Sequence, residues 1–422
     1  MTSPLPSIIA ITRLRWTDTP LCDIALPRAT MRLTRSLASG LTRSPLDLPG
    51  VVWGVGDRGP NIKPGIAADR YGCDHLAPLA AIDGAKIMPL PDSGPAIARF
   101  RIDGDSVYLE ATFDLAAKDG QPISGRPVPH GPHAEFEPVF DLAGNRLPSD
   151  PDGADSEAIA ALPDGTFWIA EEYGPSLLHV DRQGCILHRW VPHGTAHLFA
   201  SAHCPVIEAL PPLATARKLN RGFESIALLD DGDILLAAQS PLSHPDRAAH
   251  EHSRTLRLWQ IDGITGALIH EWAYRFDSPD SFRRDAEAGP VAREDIKLSE
   301  ILCLSRNAEG HHRLLLLERV TASTRFHLVT LDPAQALDTR WSDPATRPTL
   351  EQLDAKSLRD QGIQPLEKML LFSTDDWPDI DPDLEGMVLL SPTELLISND
   401  SDYGTEGAET RFWRVSFDQP LG

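Results

Sequence analysis

The ends of three hairpin-like segments hold the residues of this sequence that are best suited to chemistry. The segments are DSEAIAALPDGTFWIAEE (155–172), FESIALLDDGDILLAAQS (223–240) and LEGMVLLSPTELLISND (384–400). Each has a glutamate and then a small residue near its start, followed by an apolar strand, a polar turn, a second apolar strand and a polar exit. Searching for such self-similarity is the first step in detecting repeat architectures. The three segments therefore predict one repeated hairpin unit.

The spacing inside the unit brings its polar ends together. A strand, a tight turn and a return strand place residues fifteen positions apart side by side at the open end of a hairpin. The resulting pairs are Glu157 with Glu172, Glu224 with Gln239, and Glu385 with Asp400. Two weaker copies with longer turns, 297–320 and 36–59, exit at Glu318–Arg319 and Asp57–Arg58.

Carboxylates that converge in this way favour a metal site. Like charges in a partly desolvated cavity are unfavourable unless they are protonated or neutralised. Hard oxygen ligands suit Ca²⁺ best, with Mg²⁺ and Mn²⁺ as alternatives. The repeat contains no histidine, which argues against zinc. A single glutamate is more often a solvated or capping residue, but three copies at one spacing favour a shared site. The predicted metal ligands are Asp57, Glu157, Glu224, Glu318, Glu385 and Asp400.

Cationic and neutral polar residues accompany the carboxylates. Arg58 and Arg319 lie at the ends of the second strands of two hairpin units. A guanidinium there can hold a phosphate bidentately or form an ordinary ion pair. Together with Glu172 they are the candidate catalytic residues. The loop VPHGPHAEFEP (128–138) adds His130, His133, Glu135 and Glu137 as a general acid or ligand, although an ordinary loop is the commoner explanation. The candidates for substrate binding are Asn61, Tyr173, Asn220 and Lys297.

The elements that must position these residues are β-strands. With 37 Pro and 30 Gly, the chain reads as short strands separated by turns. Counting 97–113 as a further strand pair gives about six hairpin units, which predicts an all-β, six-bladed β-propeller rather than a β-sandwich or two β domains. We expect a single domain over 1–422, with 8–14 closing the last blade. Insertions are expected near 61–95, 191–219 and 333–380, the last with a short helical segment.

Composition limits the partners. A net charge of −22 with acidic residues along the whole chain excludes a non-specific grip on nucleic acid or an anionic membrane, since both need basic patches. We expect a monomer that acts on a small-molecule ester. The five cysteines show no metal-like spacing, and no segment is apolar enough to span a membrane. The start of the chain lacks a basic region, which predicts a cytoplasmic protein, or an exported one if a leader was removed.

The motifs resemble those of the phytase-like family, known as "esterase-like activity of phytase". The segments that carry the resemblance are GVGDRGPN (54–61), 155–175, NRGFESIAL (220–228), LLLLERV (314–320) and 383–404, within roughly 35–417. The resemblance implies a β-propeller and, through the propeller phytases, calcium-dependent hydrolysis of phosphoric esters. Gln239 departs from the pattern where an acid is expected. The positions that match are Asp57, Arg58, Gly59, Glu157, Glu171, Glu172, Asn220, Glu224, Glu318, Arg319, Glu385, Asn399 and Asp400.

Three functions remain open from the sequence. The first is a metal-dependent hydrolase of phosphoric esters, in which calcium binds the phosphoryl oxygens and activates water while arginines stabilise developing charge. The second is a lactonase or carboxylesterase of the paraoxonase or gluconolactonase type, with Glu157, Asn220 and Asp400 as ligands. The third is a ligand-binding propeller with purely structural calcium. No GxSxG, P-loop, HExxH or Rossmann pattern supports another chemistry.

Overall fold

The chain folds into mainly antiparallel β-sheets, which confirms the all-β prediction. The computed structural model describes residues 5–131 and 135–422. The strands, in chain order, are β1 (Ile8–Arg13), β2 (Pro20–Ala25), β3 (Thr30–Thr34), β4 (Gly40–Thr42), β5 (Val51–Val55), β6 (Lys86–Ile87), β7 (Ala96–Asp103), β8 (Ser106–Asp114), β9 (Val139–Phe140), β10 (Ser156–Ala161), β11 (Phe167–Glu171), β12 (Ser176–Val180), β13 (Ile186–Pro192), β14 (Val206–Leu210), β15 (Phe223–Leu228), β16 (Ile234–Ala238), β17 (Thr255–Ile261), β18 (Leu268–Arg275), β19 (Lys297–Arg306), β20 (His312–Arg319), β21 (Thr324–Thr330), β22 (Lys368–Ser373), β23 (Leu384–Ser391), β24 (Glu394–Asn399) and β25 (Phe412–Phe417).

Helices are short and lie in the connections. The α-helices are α1 (Pro64–Tyr71), α2 (Arg247–His252), α3 (Arg283–Ala288) and α4 (Ala355–Asp360). Single 3₁₀ segments cover Asp74–Ala81, Ala196–Phe199, Pro212–Ala216, Pro279–Ser281, Arg293–Asp295, Pro333–Gln335, Thr339–Ser342, Leu350–Gln352, Thr374–Asp376 and Asp402–Gly404. The helical insertion predicted near 333–380 is thus confirmed. Within the described ranges, none of these helices has the length and apolarity needed to cross a membrane.

Five sheets of four or five strands, which we call blades 1 to 5, surround one axis. Blade 1 is β4–β5–β7–β8, blade 2 is β10 to β14, blade 3 is β15 to β18, blade 4 is β19 to β22, and blade 5 is β23–β24–β25 with β1 on its outer edge. The innermost strands contact one another in cyclic order, β4 with β10, β10 with β15, β15 with β19, β19 with β23, and β23 with β4. This arrangement is a β-propeller with its inner strands around a central channel.

The hydrophobic core lies between the blades. Strand β20 shows how one sequence serves two interfaces, because successive side chains of a strand point to opposite faces. Leu314 and Leu316 pack with blade 3, whereas Leu315 and Leu317 pack with blade 5. Equivalent clusters fill the junctions of blades 1 and 2, 2 and 3, and 5 and 1. An uninterrupted LLLL run is therefore what a strand buried on both faces requires.

The expected count of six blades is one too many. Segment 97–113 looks like a separate hairpin unit, but the structure places it as β7 and β8 on the outer side of blade 1, with β7 paired to β5. The residues between β5 and β7 form α1, a 3₁₀ segment and β6 instead of ending the blade. Two small sheets, β2–β3 and β6–β9, lie outside the blades, and all five cysteines are free.

Candidate active site at the propeller mouth

A β-bulge positions the leading glutamate of each repeat. In β10, β15 and β23 the register with the neighbouring strand skips one residue, and the skipped residues are Glu157, Glu224 and Glu385. A bulged residue is left out of the ladder and its side chain is redirected, which is a common device beside active sites. The bulge therefore explains why a glutamate at a strand end faces the central axis rather than a neighbouring blade.

These residues line one cavity of about 180 Å³ at the end of the channel. Its floor is buried and its rim partly exposed: Glu172 and Glu224 are 1% and 2% exposed, whereas Glu157, Glu385 and Asp400 are half-buried. Nine carboxylates face four cations there. The lining residues are Asp57, Arg58, Asn61, Lys86, Asp155, Glu157, Glu172, Asn220, Glu224, Gln239, Lys297, Arg319, Asp383, Glu385, Asp400 and Asp402.

The carboxylates form three overlapping groups whose oxygens could bind a cation. In each group, one oxygen from every member lies within 4.8 Å of the others. Buried oxygens of the lining residues, Oδ1 of Asp155, Oε1 of Glu172, Oδ1 of Asn220 and Oε2 of Glu224, have no hydrogen-bond partner. Orphaned acceptors of this kind are rare in folded proteins and need an ion or water. The groups are Glu157–Glu172–Glu224, Asp57–Asp155–Glu157 and Asp57–Asp400–Asp402.

Burial and crowding also raise the pKa values of several carboxyl groups that line the cavity. Burial, reinforced by the neighbouring Glu224 carboxylate, raises the pKa of Glu172 to about 8. Burial likewise raises the pKa of Glu224 to about 7, and it raises the pKa of Glu385 and of Asp400 to about 8. Without a cation, part of this cavity is thus expected to hold protons at neutral pH, and a bound divalent cation would replace them.

One wall of the mouth is built around Arg58. Its Nη1 lies 2.7 Å from Oε1 of Glu137 and 3.2 Å from Oδ2 of Asp155. Its Nη2 donates to Oδ1 of Asn61 over 3.3 Å, and the Nζ of Lys86 donates to the same oxygen over 3.0 Å. The Nε of Arg58 is buried without a partner. In this wall the amide oxygen of Asn61 therefore bridges the two cations Arg58 and Lys86, and the Nε–H of Arg58 remains available to another acceptor.

Arg319, from blade 4, builds a separate wall. Its Nη1 donates to Oδ1 of Asp383 over 2.9 Å, its Nη2 donates to Oε1 of Glu385, and its Nε donates to Oγ of Ser299 over 2.8 Å. Lys297 lies beside it, and the positive Arg319 together with burial lowers the pKa of Lys297 to about 8. Cationic groups thus stand on two sides of the carboxylate groups.

Two predicted residues lie elsewhere. Glu318 is a predicted metal ligand, but its carboxylate is fully buried away from the mouth and accepts from Tyr274 and Lys368. The register of β19 skips Ser299 at the place where the other inner strands skip a glutamate, so Arg319 takes the position of Glu172 and Asp400, and Glu318 takes that of Glu171 and Asn399. Tyr173 lines a neighbouring cavity instead of the mouth.

Of the two predicted loop histidines, the described one, His130, does not line the mouth. His130 stacks on Phe136 with ring centroids 4.1 Å apart, and His133 lies outside the described residues. Glu171, which also matches the family pattern, accepts from the Tyr173 amide and from Ser176, each over 2.9 Å, and it does not line the cavity.

Sequence reasoning missed several lining residues. Asp155 precedes Glu157 by two positions, as Asp383 precedes Glu385, so a shared D-x-E pattern was a usable signal. Lys86 comes from the insertion before β7 and has no repeat partner that could reveal it. Asp383 and Asp402 line the mouth in the left-handed region, with φ of 55° and 46°. Such backbone conformations are unfavourable for non-glycine residues and cluster at functional sites.

The raised pKa values predict an unusual pH dependence. Above about pH 6.5 the unfolded chain has released the carboxyl protons that folded Glu224, Glu172 and Glu385 still hold, so the free energy of unfolding falls as the pH rises to about 8. Below that window, the buried neutral His188 and His250, with pKa lowered to about 4, act in the opposite direction. Thermal melts in EDTA should therefore show a declining midpoint over this window, and calcium should remove the decline. A calcium-free midpoint that rises with pH there would contradict the site geometry.

Comparison with known proteins identifies the family of this chain. The model of the phytase-like family, described as esterase-like activity of phytase, matches residues 38–403. A curated protein of Arthroderma benhamiae described as an uncharacterized secreted protein is 25% identical over 249 residues. That alignment takes in 53% of this chain and 46% of the relative, so the chain spans less than half of the relative's length.

Solved structures show more distant similarity. The PQQ-bound aldose sugar dehydrogenase of Streptomyces coelicolor is 10% identical with a TM-score of 0.36, and 98% of each chain is covered. An exo-β-1,3-galactanase of Phanerochaete chrysosporium is 11% identical with a TM-score of 0.38, and 94% of this chain and 64% of that chain are covered. Virginiamycin B lyase of Staphylococcus aureus is 9% identical with a TM-score of 0.31, and 94% and 98% are covered. Likenesses this weak carry no argument about the activity of this chain.

Proposed function

Since the chain belongs to the phytase-like family, we propose that it is a calcium-dependent hydrolase of phosphoric esters whose active site is the acidic mouth of the propeller. The observation that supports this most is the cavity of nine carboxylates flanked by Arg58, Lys86, Lys297 and Arg319. Carboxylates alone would suit a structural cation. Guanidinium and ammonium groups on two sides add a place for an anion beside it, and a phosphoryl group is an anion that binds both.

The donor set fits calcium. The proposed ligands are Glu157 and Glu224 in one group, whose third member is Glu172, with Asp57, Asp155 and Asp400 in the overlapping groups. All are oxygen donors, and the amide oxygen of Asn220 is a further orphaned acceptor. Mg²⁺ and Mn²⁺ share this preference and are the alternatives. A bound cation there would polarise the phosphoryl oxygens and lower the pKa of a coordinated water.

The protein's own residues would orient and stabilise the reacting group. Arg58 offers its unpartnered Nε–H, and Asn61 holds Arg58 and Lys86 in fixed positions through one oxygen. Arg319 is fixed by three side chains, so little reorganisation is needed when charge develops on the phosphoryl oxygens. Glu172 has a raised pKa and an orphaned oxygen at the floor, and we assign it the transfer of the water proton.

The test combines metal analysis with an ester panel. Purified protein would be stripped with EDTA and reloaded with calcium, magnesium or manganese, then assayed on phosphomonoesters, phosphodiesters, phytate, lactones and aryl acetates. We expect calcium-dependent release of phosphate. Turnover of lactones or aryl acetates without turnover of phosphates would favour the lactonase alternative instead. Calcium binding with no turnover of any ester would favour a ligand-binding propeller, and absence of metal binding would overturn the proposal.

A further inference from the structure

A second cavity, of about 320 Å³, lies beside the mouth and has no part in the chemistry proposed above. We call it the side pocket. Its described walls are mainly apolar and include Val128, Phe136, Tyr173, Leu198 and Phe199. Concave pockets with apolar walls and a few convergent polar groups are the usual form of a binding site for a small organic group. The mouth, by contrast, is lined almost entirely by charged and amide side chains.

The side pocket and the mouth share a wall. The chain passes from Glu172, which lines the mouth, directly to Tyr173 and Gly174, which line the side pocket. Across the same wall, Arg58 of the mouth pairs with Glu137 of the side pocket over 2.7 Å. The Arg58 guanidinium also lies 4.9 Å from the centre of the Tyr173 ring. The two cavities are therefore adjacent, and an organic group in the pocket would lie one wall away from an anion in the mouth.

The pocket walls are held in place by hydrogen bonds and close packing. The Tyr173 hydroxyl donates to Oε1 of Glu137 over 3.0 Å, and the Nε of Arg217 donates to the Tyr173 carbonyl over 2.7 Å. At Gly174, a Cβ atom would lie 2.6 Å from Cγ2 of Val128, so only glycine allows the two segments to approach this closely. The pocket is thus preformed, which lowers the ordering cost of binding.

From these contacts, and resting on the proposed function, we infer that the side pocket binds the organic group of a phosphate monoester of an aromatic alcohol while the phosphoryl group lies in the mouth. Aromatic rings pack favourably against walls built from Tyr and Phe. Hydrolysis would form a bond from the water oxygen to phosphorus and break the bond to the alcohol oxygen, and the water proton would end on the alcohol.

The experiment compares two esters and two variants of the calcium-loaded protein. Leu198→Trp fills the side pocket from a half-buried position, and Ile264→Trp adds the same bulk at a side chain that is 88% exposed and lines neither cavity. We expect Leu198→Trp to raise the KM for 2-naphthyl phosphate by about tenfold or more, and to leave the KM for methyl phosphate and the calcium-induced shift in Tm unchanged. Ile264→Trp should match the unmodified protein with both esters.

A binding measurement separates this inference from the proposed function. Titration with 2-naphthylphosphonate, which cannot be hydrolysed, should show binding in calcium that Leu198→Trp weakens and Ile264→Trp does not. If no ester is turned over but the phosphonate shows this binding pattern, the proposed function is wrong and the assignment of the side pocket as a binding site for the organic group is supported. Equal KM values for the two esters in the unmodified protein, or equal losses for both in Leu198→Trp, would overturn the inference.

Discussion

Replacing Glu224 with glutamine is expected to abolish the calcium response of the protein and, at the same time, to stabilise its calcium-free form. Oxygens of Glu224, Glu157 and Glu172 lie within 4.8 Å of one another, and Oε2 of Glu224 is buried without a partner. Glutamine keeps the shape and can still accept from Gln239, but it removes one of three crowded negative charges. Near pH 8, the Tm in EDTA should therefore rise, the further rise with calcium should disappear, and hydrolysis should fall by about 100-fold or more.

A matched control is Glu171→Gln, one residue from Glu172 in the sequence but turned away from the mouth. Its carboxylate accepts from the Tyr173 amide and the Ser176 hydroxyl, so a neutral amide should weaken both bonds and destabilise the protein with and without calcium. The calcium-induced rise in Tm should persist in this variant. A Glu224→Gln protein that is destabilised in EDTA and keeps its calcium response would show that Glu224 is only structural, and the site would be wrongly assigned.

The fold was largely predictable because every inner hairpin repeats one pattern. Apolar strands buried on both faces, such as the one containing Leu314–Leu317, appear in the sequence as uninterrupted leucine runs between polar turns. The blade count was not predictable from that pattern, because β7 and β8 form a hairpin as regular as the inner ones. Only pairing across the insertion after β5 shows that they extend blade 1, and such long-range pairing leaves no local signal.

The site was predictable where the repeat is regular and not where it is disturbed. Eleven of the thirteen candidate residues line the mouth. The fifteen-residue spacing accounts for five of them, which are Glu157, Glu172, Glu224, Glu385 and Asp400. Glu318 does not line the mouth because it pairs with Leu298, the residue before the bulge of β19, as Glu171 pairs with Ser156 in blade 2. It therefore lies one residue before the exit position, which Arg319 occupies. Lys86 reaches the mouth from an insertion, where no repeat predicts the position of a side chain.

Arg319→Lys is expected to lower kcat by about 100-fold while calcium binding stays close to that of the unmodified protein. The guanidinium donates to Ser299, Asp383 and Glu385 at once, and a lysine ammonium cannot keep all three contacts and also reach a substrate oxygen. The charge of the mouth is unchanged, so the calcium-induced shift in Tm should be retained. Steady-state kinetics with the best ester of the panel, together with melts in EDTA and in calcium, would measure both effects.

Arg319→Gln separates a catalytic guanidinium from a simple counterion. Because Arg319 neutralises Glu385 and Asp383, its removal should leave the mouth more negative and strengthen calcium binding, while hydrolysis falls at least as far as in Arg319→Lys. Tighter calcium binding with lost turnover cannot follow from general damage to the site. If lysine restored the kcat of the unmodified protein, positive charge alone would suffice, and the directional role assigned to Arg319 in stabilising charge on the phosphoryl oxygens would be wrong.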